Sequence, residues 1–311
     1  MKLHLALEQY RTLKQSLGFR FHADAVILKA FGQAMGAITL EQVQPASVRA
    51  YLDGPGPVTR FWERKWVTLR GFYQFALARQ WVESSPLPAV APKMPTPFVP
   101  YVYSQEELRR LLAAVPEPAV AGLSALTFHT LLLLLYGAGL RISEALRLED
   151  REVSLKDRLL TVRESKFFKS RWVPLGPRLT RVLSDYQQQR PQSSPASGSW
   201  FFQDLHGEQV KRSAAERAFR QVRDQAGIKR PAPARYQPRL HDLRHAFTVH
   251  CLTHWYRQGA NVQRLLPQLA TYLGHVDVAA TQRYLTLTPE LYQQASQRFE
   301  RYAFPGGAHD Q

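Results

Sequence analysis

Apolar residues recur at intervals of three and four along the first 83 residues, the spacing of one face of an α-helix. A first helix is predicted from Leu3 to Leu17 and ends at Gly18. Further helices are predicted over residues 24–35, from Pro45 to the G-P-G-P breaker at 54–57, and over 58–78. The core-facing residues expected in the last of these are Phe61, Leu69, Phe72, Phe75 and Ala76. Residues 1–83 are therefore predicted to form a small helical bundle.

Six prolines between residues 84 and 103 predict a semi-rigid linker, because proline at this density cannot continue a helix. A second domain over 104–311 begins with a capping box at Ser104 and Glu107. Helices are expected at 105–114, 119–136 and 177–190, and again from 211 onward. Short strands are expected at 159–162 and 171–175. The predicted fold class is mainly α, with a small antiparallel sheet in the second domain.

The charge balance favours a polyanionic partner. The chain has 41 Lys and Arg against 25 Asp and Glu, a net charge of +16, and nucleic acid is the usual partner of so basic a protein. The single cysteine, Cys251, excludes an intrachain disulfide and is expected to be a buried, inert thiol. The apolar stretch around 131–135 is too short to span a bilayer and predicts a buried helix. We expect a cytoplasmic protein without a membrane partner.

Three short segments carry residues suited to phosphate chemistry. Residues 137–146 read G-A-G-L-R-I-S-E-A-L, and two glycines before Arg141 would fix its position at a helix start. Residues 241–245 read H-D-L-R-H, in which a spacing of three puts His241 and Arg244 on one helix face. Residues 269–275 end in L-G-H at His275, nine residues before Tyr284. A metal-free enzyme that breaks a phosphodiester needs a nucleophile, cations and a proton donor, and these segments supply all three.

Each segment alone has an ordinary interpretation. An arginine at a helix start is usually a solvated surface residue, and one of 13 tyrosines is usually a packing residue. The histidines at 241, 245, 250 and 254 have intervals that suit a metal site, but the metalloprotease glutamate and a cysteine cluster are missing from the sequence, so we expect no metal or other cofactor.

Taken in order, the segments resemble the tyrosine recombinase (phage integrase) family, which includes Xer-type and lambda-type enzymes. The family pattern is G-L-R-x-S-E-x-L, a lysine in a β-turn, H-x-L-R-H, and L-G-H with a tyrosine nine residues later. The matches run from residue 104 to 285. The resemblance implies a helical core-binding domain at 1–83, a catalytic domain at 104–311, and closure of the two around double-stranded DNA.

The resemblance also implies catalytic roles. Arg141 and Arg244 would neutralise the transition state, and His241 and His275 would hydrogen-bond the phosphate oxygens and help move protons. Tyr284 would attack and leave a 3′-phosphotyrosyl link. Lys166 would protonate the leaving 5′ oxygen.

The basic turn departs from the family's pattern. Residues 165–171 read S-K-F-F-K-S-R where the family has G-K-G-x-K-x-R, so Lys169 remains the alternative to Lys166.

The interval from His241 to His275 is longer than in Xer-type enzymes and resembles recombinases carried by some transposons. The expected assembly is a homo-tetramer in a DNA synapse, and a need for partner recombinases is left open. A final helix after Thr288 would dock on a neighbouring subunit or on its own domain. The alternatives are a catalytically silent DNA-binding regulator and a type IB topoisomerase.

Overall fold

The computed structural model describes residues 1–94, 99–163, 170–190, 200–232, 234, 236–275, 277–282 and 284, with isolated positions at 293, 296–297, 299–300 and 303. The chain divides into two compact units, Met1–Phe98 and Val99–Gln311. The division falls inside the proline-rich stretch. The mainly helical fold class with small antiparallel sheets is confirmed.

The first unit contains the four expected helices. They are α1 (Leu3–Ser16), α2 (His22–Met35), α3 (Pro45–Asp53) and α4 (Arg60–Ala78), with a 3₁₀ turn at Leu40–Gln42. Phe31 and Phe72 are fully buried between them, and burial of each ring contributes about 1.5–3 kcal/mol.

Two apolar residues of the predicted helices are exposed: Leu17, the predicted last residue of the first helix, and Phe61, an expected core residue. Leu17 is 61% exposed because α1 already ends at Ser16. Phe61 is 58% exposed because it lies in the first turn of α4, one residue before the buried Trp62. The apolar face of α4 therefore begins at Trp62.

Helix α4 carries four basic residues, Arg60, Arg64, Arg70 and Lys65, and Lys65 is not at the surface. Its side chain is buried and donates a hydrogen bond to the Tyr51 carbonyl oxygen. Arg64 Nη2 lies 2.7 Å from Asp24 Oδ1. Arg60 Nη1 lies 3.2 Å from Glu63 Oε2 on the same helix. Lys65 thus belongs to the interior of the unit.

The second unit is built from eight helices and five short strands within the described residues. The helices are α5 (Gln105–Ala113), α6 (Ala125–Gly137), α7 (Ile142–Ala145), α8 (Pro177–Gln189), α9 (Arg212–Gln225), α10 (Asp242–Arg257), α11 (Val262–Leu273) and α12 (Ala279–Gln282). The strands are β1 (Ala119–Val120), β2 (Leu123–Ser124), β3 (Val153–Ser154), β4 (Leu159–Val162) and β5 (Arg171–Pro174), with a 3₁₀ turn at Asp150–Glu152.

The helix predicted over 119–136 is wrong in its first six residues, which form the β1–β2 hairpin. Ala121 and Gly122 connect the strands with φ of 50° and 84°. Positive φ at both central residues is typical of the two-residue turns whose backbone twist matches the right-handed twist of the two strands. The helix starts only at Ala125, where the Ser124 side chain caps it by accepting from Thr127 N.

The sheet β3–β4–β5 is antiparallel, as expected. Val162 pairs with Arg171 at the end of the β4–β5 ladder. Lys166 and Lys169, which were predicted to lie in a basic turn, are outside the described residues.

Helix α6 lies at the centre of the second unit. Its leucines pack into the core, and Phe128 and Leu131 are fully buried, as expected for the apolar stretch. Helices α8 and α10 both contact it. Within the described residues, none of the helices combines the length and apolar composition needed to cross a membrane.

Candidate active site

The turn between α6 and α7 fixes the position of Arg141. Gly139 has a φ of 60°, in the left-handed region that glycine adopts without strain. A Cβ at Gly139 would lie 2.5 Å from the Phe247 ring, so the turn is closed against α10. Arg141 follows with an extended backbone at the start of α7, and 24% of its side chain remains exposed. Its guanidinium can therefore reach a bound phosphate.

A buried carboxylate that sequence reasoning missed holds Arg141. Glu144 lies 2.6 Å from Arg141 Nη1 and accepts the Arg141 backbone N–H at 3.0 Å. The same carboxylate accepts hydrogen bonds of 3.1 and 2.9 Å from Arg171. Burial by itself raises the pKa of Glu144, but hydrogen bonds and charge from Arg171, together with Arg141, lower it to about 2. Glu144 is therefore anionic at neutral pH and joins the two arginines.

Arg171 and Arg141 also donate hydrogen bonds to the backbone at the end of α11, and so connect Glu144 to this end of the helix. Arg171 Nε donates to the Tyr272 carbonyl oxygen at 2.8 Å. Arg141 Nη2 donates to the Gly274 carbonyl oxygen at 3.0 Å. Gly274 has a φ of 68°, and a Cβ there would lie 2.8 Å from Arg171 Nη1, so a side chain at this position would be strained and would displace the guanidinium. The two arginines thus fix the backbone immediately before His275.

Arg244 is the second candidate phosphate ligand, and it is buried. Its Nη1 donates to Gly139 O and its Nη2 to Leu273 O, both at 2.6 Å. Burial and the charge of Arg141 lower the pKa of Arg244 to about 10. The guanidinium is still charged at neutral pH, and it holds the α6–α7 turn and the end of α11 together.

The two candidate histidines are uncharged at neutral pH. Burial, followed by the charge of Arg244, lowers the pKa of His241 to about 4 and that of His275 to about 4. His241 stands at the start of α10 with helical backbone angles, so the expected helical spacing to Arg244 is present. His275 Nδ1 lies 2.7 Å from Thr281 Oγ1, which orients its ring. A neutral imidazole can donate its one N–H to a phosphate oxygen.

Tyr284 lies in the same cluster. Its side chain is buried, and its ring is parallel to that of His275 with 6.3 Å between centroids. Its hydroxyl lies 2.8 Å from His245 Nδ1. Burial raises the pKa of the phenol, while the charges of Arg244 and Arg141 act in the opposite direction. The phenol is therefore protonated in this state, and both guanidinium groups are close enough to influence it.

The structure thus brings together Arg141, His241, Arg244, His275 and Tyr284 from four separate segments. Sequence reasoning missed their supporting residues Glu144, Arg171 and His245. Glu144 lies inside the G-L-R-x-S-E-x-L motif, and His245 lies inside the H-x-L-R-H motif. Each is a titratable residue close in sequence to a candidate arginine, and this proximity is the signal that could have identified it. Arg171 had a weaker signal, as the last basic residue of the turn.

Within the described part of the chain, no three His, Cys, Asp or Glu side chains converge on a point that could hold a metal ion. His250 contacts the Tyr136 hydroxyl at 2.8 Å. Cys251 is half-buried rather than fully buried, and burial raises the pKa of its thiol to about 11, as expected for an inert thiol.

Fixed cations and neutral imidazoles around a phenol provide the electrostatic stabilisation that displacement at one phosphate requires. On a mainly helical domain, this arrangement defines the class of tyrosine recombinases. A family model described as the phage integrase family matches residues 102–290. The chain belongs to the phage integrase family, and the expected family resemblance is confirmed.

Two relatives extend the match over most of the chain. The protein y4rB of Sinorhizobium fredii, which is named as an integrase/recombinase, is 34% identical over 307 residues, covering 95% of this chain and 96% of that protein. The tyrosine recombinase XerD of Corynebacterium glutamicum is 28% identical over 296 residues, covering 92% of each.

Solved structures agree on the fold. A lambda integrase dimer bound to a COC′ core site has a TM-score of 0.63 at 16% identity and covers 89% of this chain and 96% of that chain. The Tn1549 transposon integrase in complex with transposon right end DNA has a TM-score of 0.71 at 14% identity and covers 97% and 100%.

Proposed function

We propose that this recombinase cleaves double-stranded DNA at a specific site with Tyr284 as its nucleophile and rejoins the ends in a new combination. The observation that carries the proposal is the position of Tyr284, in the same chain and the same cluster as Arg141 and Arg244. The phenol forms a 3′-phosphotyrosyl link and releases a 5′ hydroxyl. The link conserves the energy of the phosphodiester, so rejoining is the same step in reverse.

The two arginines stabilise the additional charge that develops on the phosphate in the transition state. Arg141 keeps an exposed face for this contact, whereas Arg244 reaches the site from the interior. His241 and His275 hydrogen-bond the non-bridging oxygens as neutral imidazoles. Lys166 protonates the leaving 5′ oxygen, with Lys169 as the alternative donor in the same turn. A negative phosphate also raises the basicity of nearby imidazoles, because it offsets the repulsion from both guanidinium groups.

The proposed partner is duplex DNA, and the proposed assembly is a homo-tetramer. The net charge of +16 supports binding to the phosphate backbone. A lambda integrase tetramer bound to a Holliday junction, 16% identical with a TM-score of 0.65, supports the tetramer by likeness of fold. The helical bundle at 1–83 supplies a second DNA-binding surface.

The test uses a duplex that carries the protein's own site, selected from a randomised pool by repeated binding and recovery. A nick placed near the scissile phosphate lets the cleaved end diffuse away, so the covalent adduct accumulates and shows on a denaturing gel. Tyr284→Phe is expected to bind this duplex with unchanged affinity and to form no adduct. Undiminished adduct in Tyr284→Phe contradicts the assignment of the nucleophile.

A modified form of this duplex distinguishes Lys166 from Lys169 as the general acid. Sulfur in place of the bridging 5′ oxygen makes a leaving group that needs no proton, so it should restore cleavage by the variant that lacks the general acid. We expect this rescue for Lys166→Ala; rescue of Lys169→Ala alone would reassign the role. Binding without any adduct in the wild-type protein would favour the silent regulator, and relaxation of supercoiled plasmid without site preference would favour a topoisomerase.

A further inference from the structure

The Tyr284 hydroxyl has a partner with no role in the proposed mechanism so far. His245, one turn into α10, places Nδ1 2.8 Å from Tyr284 Oη. The two rings are 5.4 Å apart between centroids and inclined by 44°. The His245 side chain is 15% exposed, so it lies inside the cluster rather than at its surface.

The proton positions follow from the charges around this pair. Burial, with the neighbouring His241, Arg239, Arg244 and His275, lowers the pKa of His245 to about 3, so its ring is neutral and carries one N–H. Nε2 lies on the side of the Asp242 carboxylate, 4.0 Å from Oδ1. A proton on Nε2 faces this anion and leaves Nδ1 as the acceptor of the phenol proton.

Two other groups near the phenol are already engaged. His275 uses Nδ1 to contact Thr281 and stacks its ring face on the tyrosine ring. The Thr248 hydroxyl contacts the phenol and lowers its pKa, but it also donates to the Arg244 carbonyl oxygen at 2.9 Å. An alcohol is also a far weaker base than an imidazole.

We propose that His245 is a further catalytic residue, the base that takes the Tyr284 proton as the phenol oxygen attacks the phosphate. This inference rests on the proposed function of Tyr284. The Oη–H bond breaks and its proton moves to Nδ1, while the Oη–P bond forms. The P–O5′ bond breaks, and the leaving oxygen takes a proton from the general acid. In rejoining, the imidazolium returns its proton to the phenol.

The cluster contains the means to stabilise this imidazolium. The Asp242 carboxylate is fully buried and lies on the Nε2 side of the ring. The phosphate of bound DNA adds negative charge beside Arg141 and Arg244, the two cations whose charge acts on the phenol. Both effects raise the basicity of His245 above its value in the DNA-free protein.

The experiment compares His245→Asn with His250→Asn. An asparagine amide lies near the position of Nδ1 and can hydrogen-bond the phenol, but it cannot take a proton. His250 is the matched control, because it contacts the Tyr136 hydroxyl at 2.8 Å on the same helix, away from Tyr284. Thermal unfolding and DNA affinity are measured for both variants, and His245→Gln serves as a second variant if His245→Asn does not fold.

We expect His245→Asn to bind DNA normally and to form the adduct about 10²–10⁴-fold more slowly, the usual contribution of a general base. Its rate should rise about tenfold per pH unit, because the phenol then depends on hydroxide, and the 5′-sulfur substrate should not restore it. His250→Asn should keep the wild-type rate.

A His245→Asn rate within threefold of the wild type overturns the inference, and so does rescue by the sulfur substrate. In either case the loss of the adduct in Tyr284→Phe would still support the proposed function. Only an adduct that persists in Tyr284→Phe would remove both.

Discussion

Replacement of Glu144 by glutamine tests whether a buried carboxylate holds the arginine pair. The substitution keeps the shape of the side chain and one oxygen acceptor. It removes the negative charge between two guanidinium groups and turns an amide N–H₂ toward one of them. Arg171, with 9% of its side chain exposed, would then be a buried cation without its anionic partner.

The size of the effect follows from the charge that Glu144 carries. Its pKa falls from 4.5 to about 2 in the folded protein. One pKa unit corresponds to about 1.4 kcal/mol. The folded state therefore stabilises the ionised form of Glu144, relative to the unfolded chain, by about 3 kcal/mol. Removal of one partner from a buried ion pair costs about 3–5 kcal/mol. We therefore expect Glu144→Gln to lower the free energy of unfolding of the second unit by about 3 kcal/mol.

The two units of the chain need not unfold together, so the free energy is measured by hydrogen exchange of peptides from α6 and α10 in low urea. Glu216→Gln is the matched control, because Glu216 pairs with Arg212 at 2.8 Å on the solvent face of α9. That exposed pair should contribute at most about 0.5 kcal/mol. A loss below about 1 kcal/mol in Glu144→Gln would refute the buried-pair reasoning.

Two further predictions concern the turn before Arg141 and the histidines. Gly139→Ala should lower the free energy of unfolding by about 2–4 kcal/mol, because it adds backbone strain at positive φ to a Cβ contact of 2.5 Å with Phe247. In the control Gly122→Ala, the new Cβ meets no atom within 4 Å, so only the backbone strain remains and the loss should be about 1–2 kcal/mol. Equal losses in the two variants would refute the packing explanation. His241 and His275 have folded pKa values of about 4, below the unfolded value of 6.5, so the unfolded chain binds more protons and stability should fall as pH drops from about 6.5 to 4. The slope should be shallower in His241→Asn, and an unchanged slope would show that His241 is not held neutral.

Most of the helices and the residues of the candidate site could be predicted from local patterns. Intervals of three and four gave the four helices of the first unit, and α6 is as buried as its leucine run predicts. The candidate arginines, histidines and tyrosine follow from short motifs of fixed spacing, because each motif carries its own turn or helix start. Gly139 and Gly274, both at positive φ, are part of these motifs for that reason.

The rest depends on contacts between distant positions. Arg141 meets the Gly274 carbonyl oxygen, which is 133 residues away, and Arg171 meets Tyr272 across 101 residues. No local pattern encodes such pairs, so the roles of Glu144 and Arg171 were missed. The β1–β2 hairpin was missed because two-residue strands are too short to show alternation. The interior position of Lys65 was missed because a lysine is normally solvated.

The central claim is that the Tyr284 oxygen becomes linked to the 3′ phosphate of cleaved DNA. The direct measurement is tandem mass spectrometry of the trapped adduct after nuclease and trypsin digestion. The expected peptide, residues 284–298, also contains Tyr292, so the fragment ions must distinguish the two tyrosines. We predict a 3′-linked nucleotide on Tyr284 and an unchanged adduct in Tyr292→Phe. A nucleotide on Tyr292 or any other residue, or a 5′ linkage, would contradict the account.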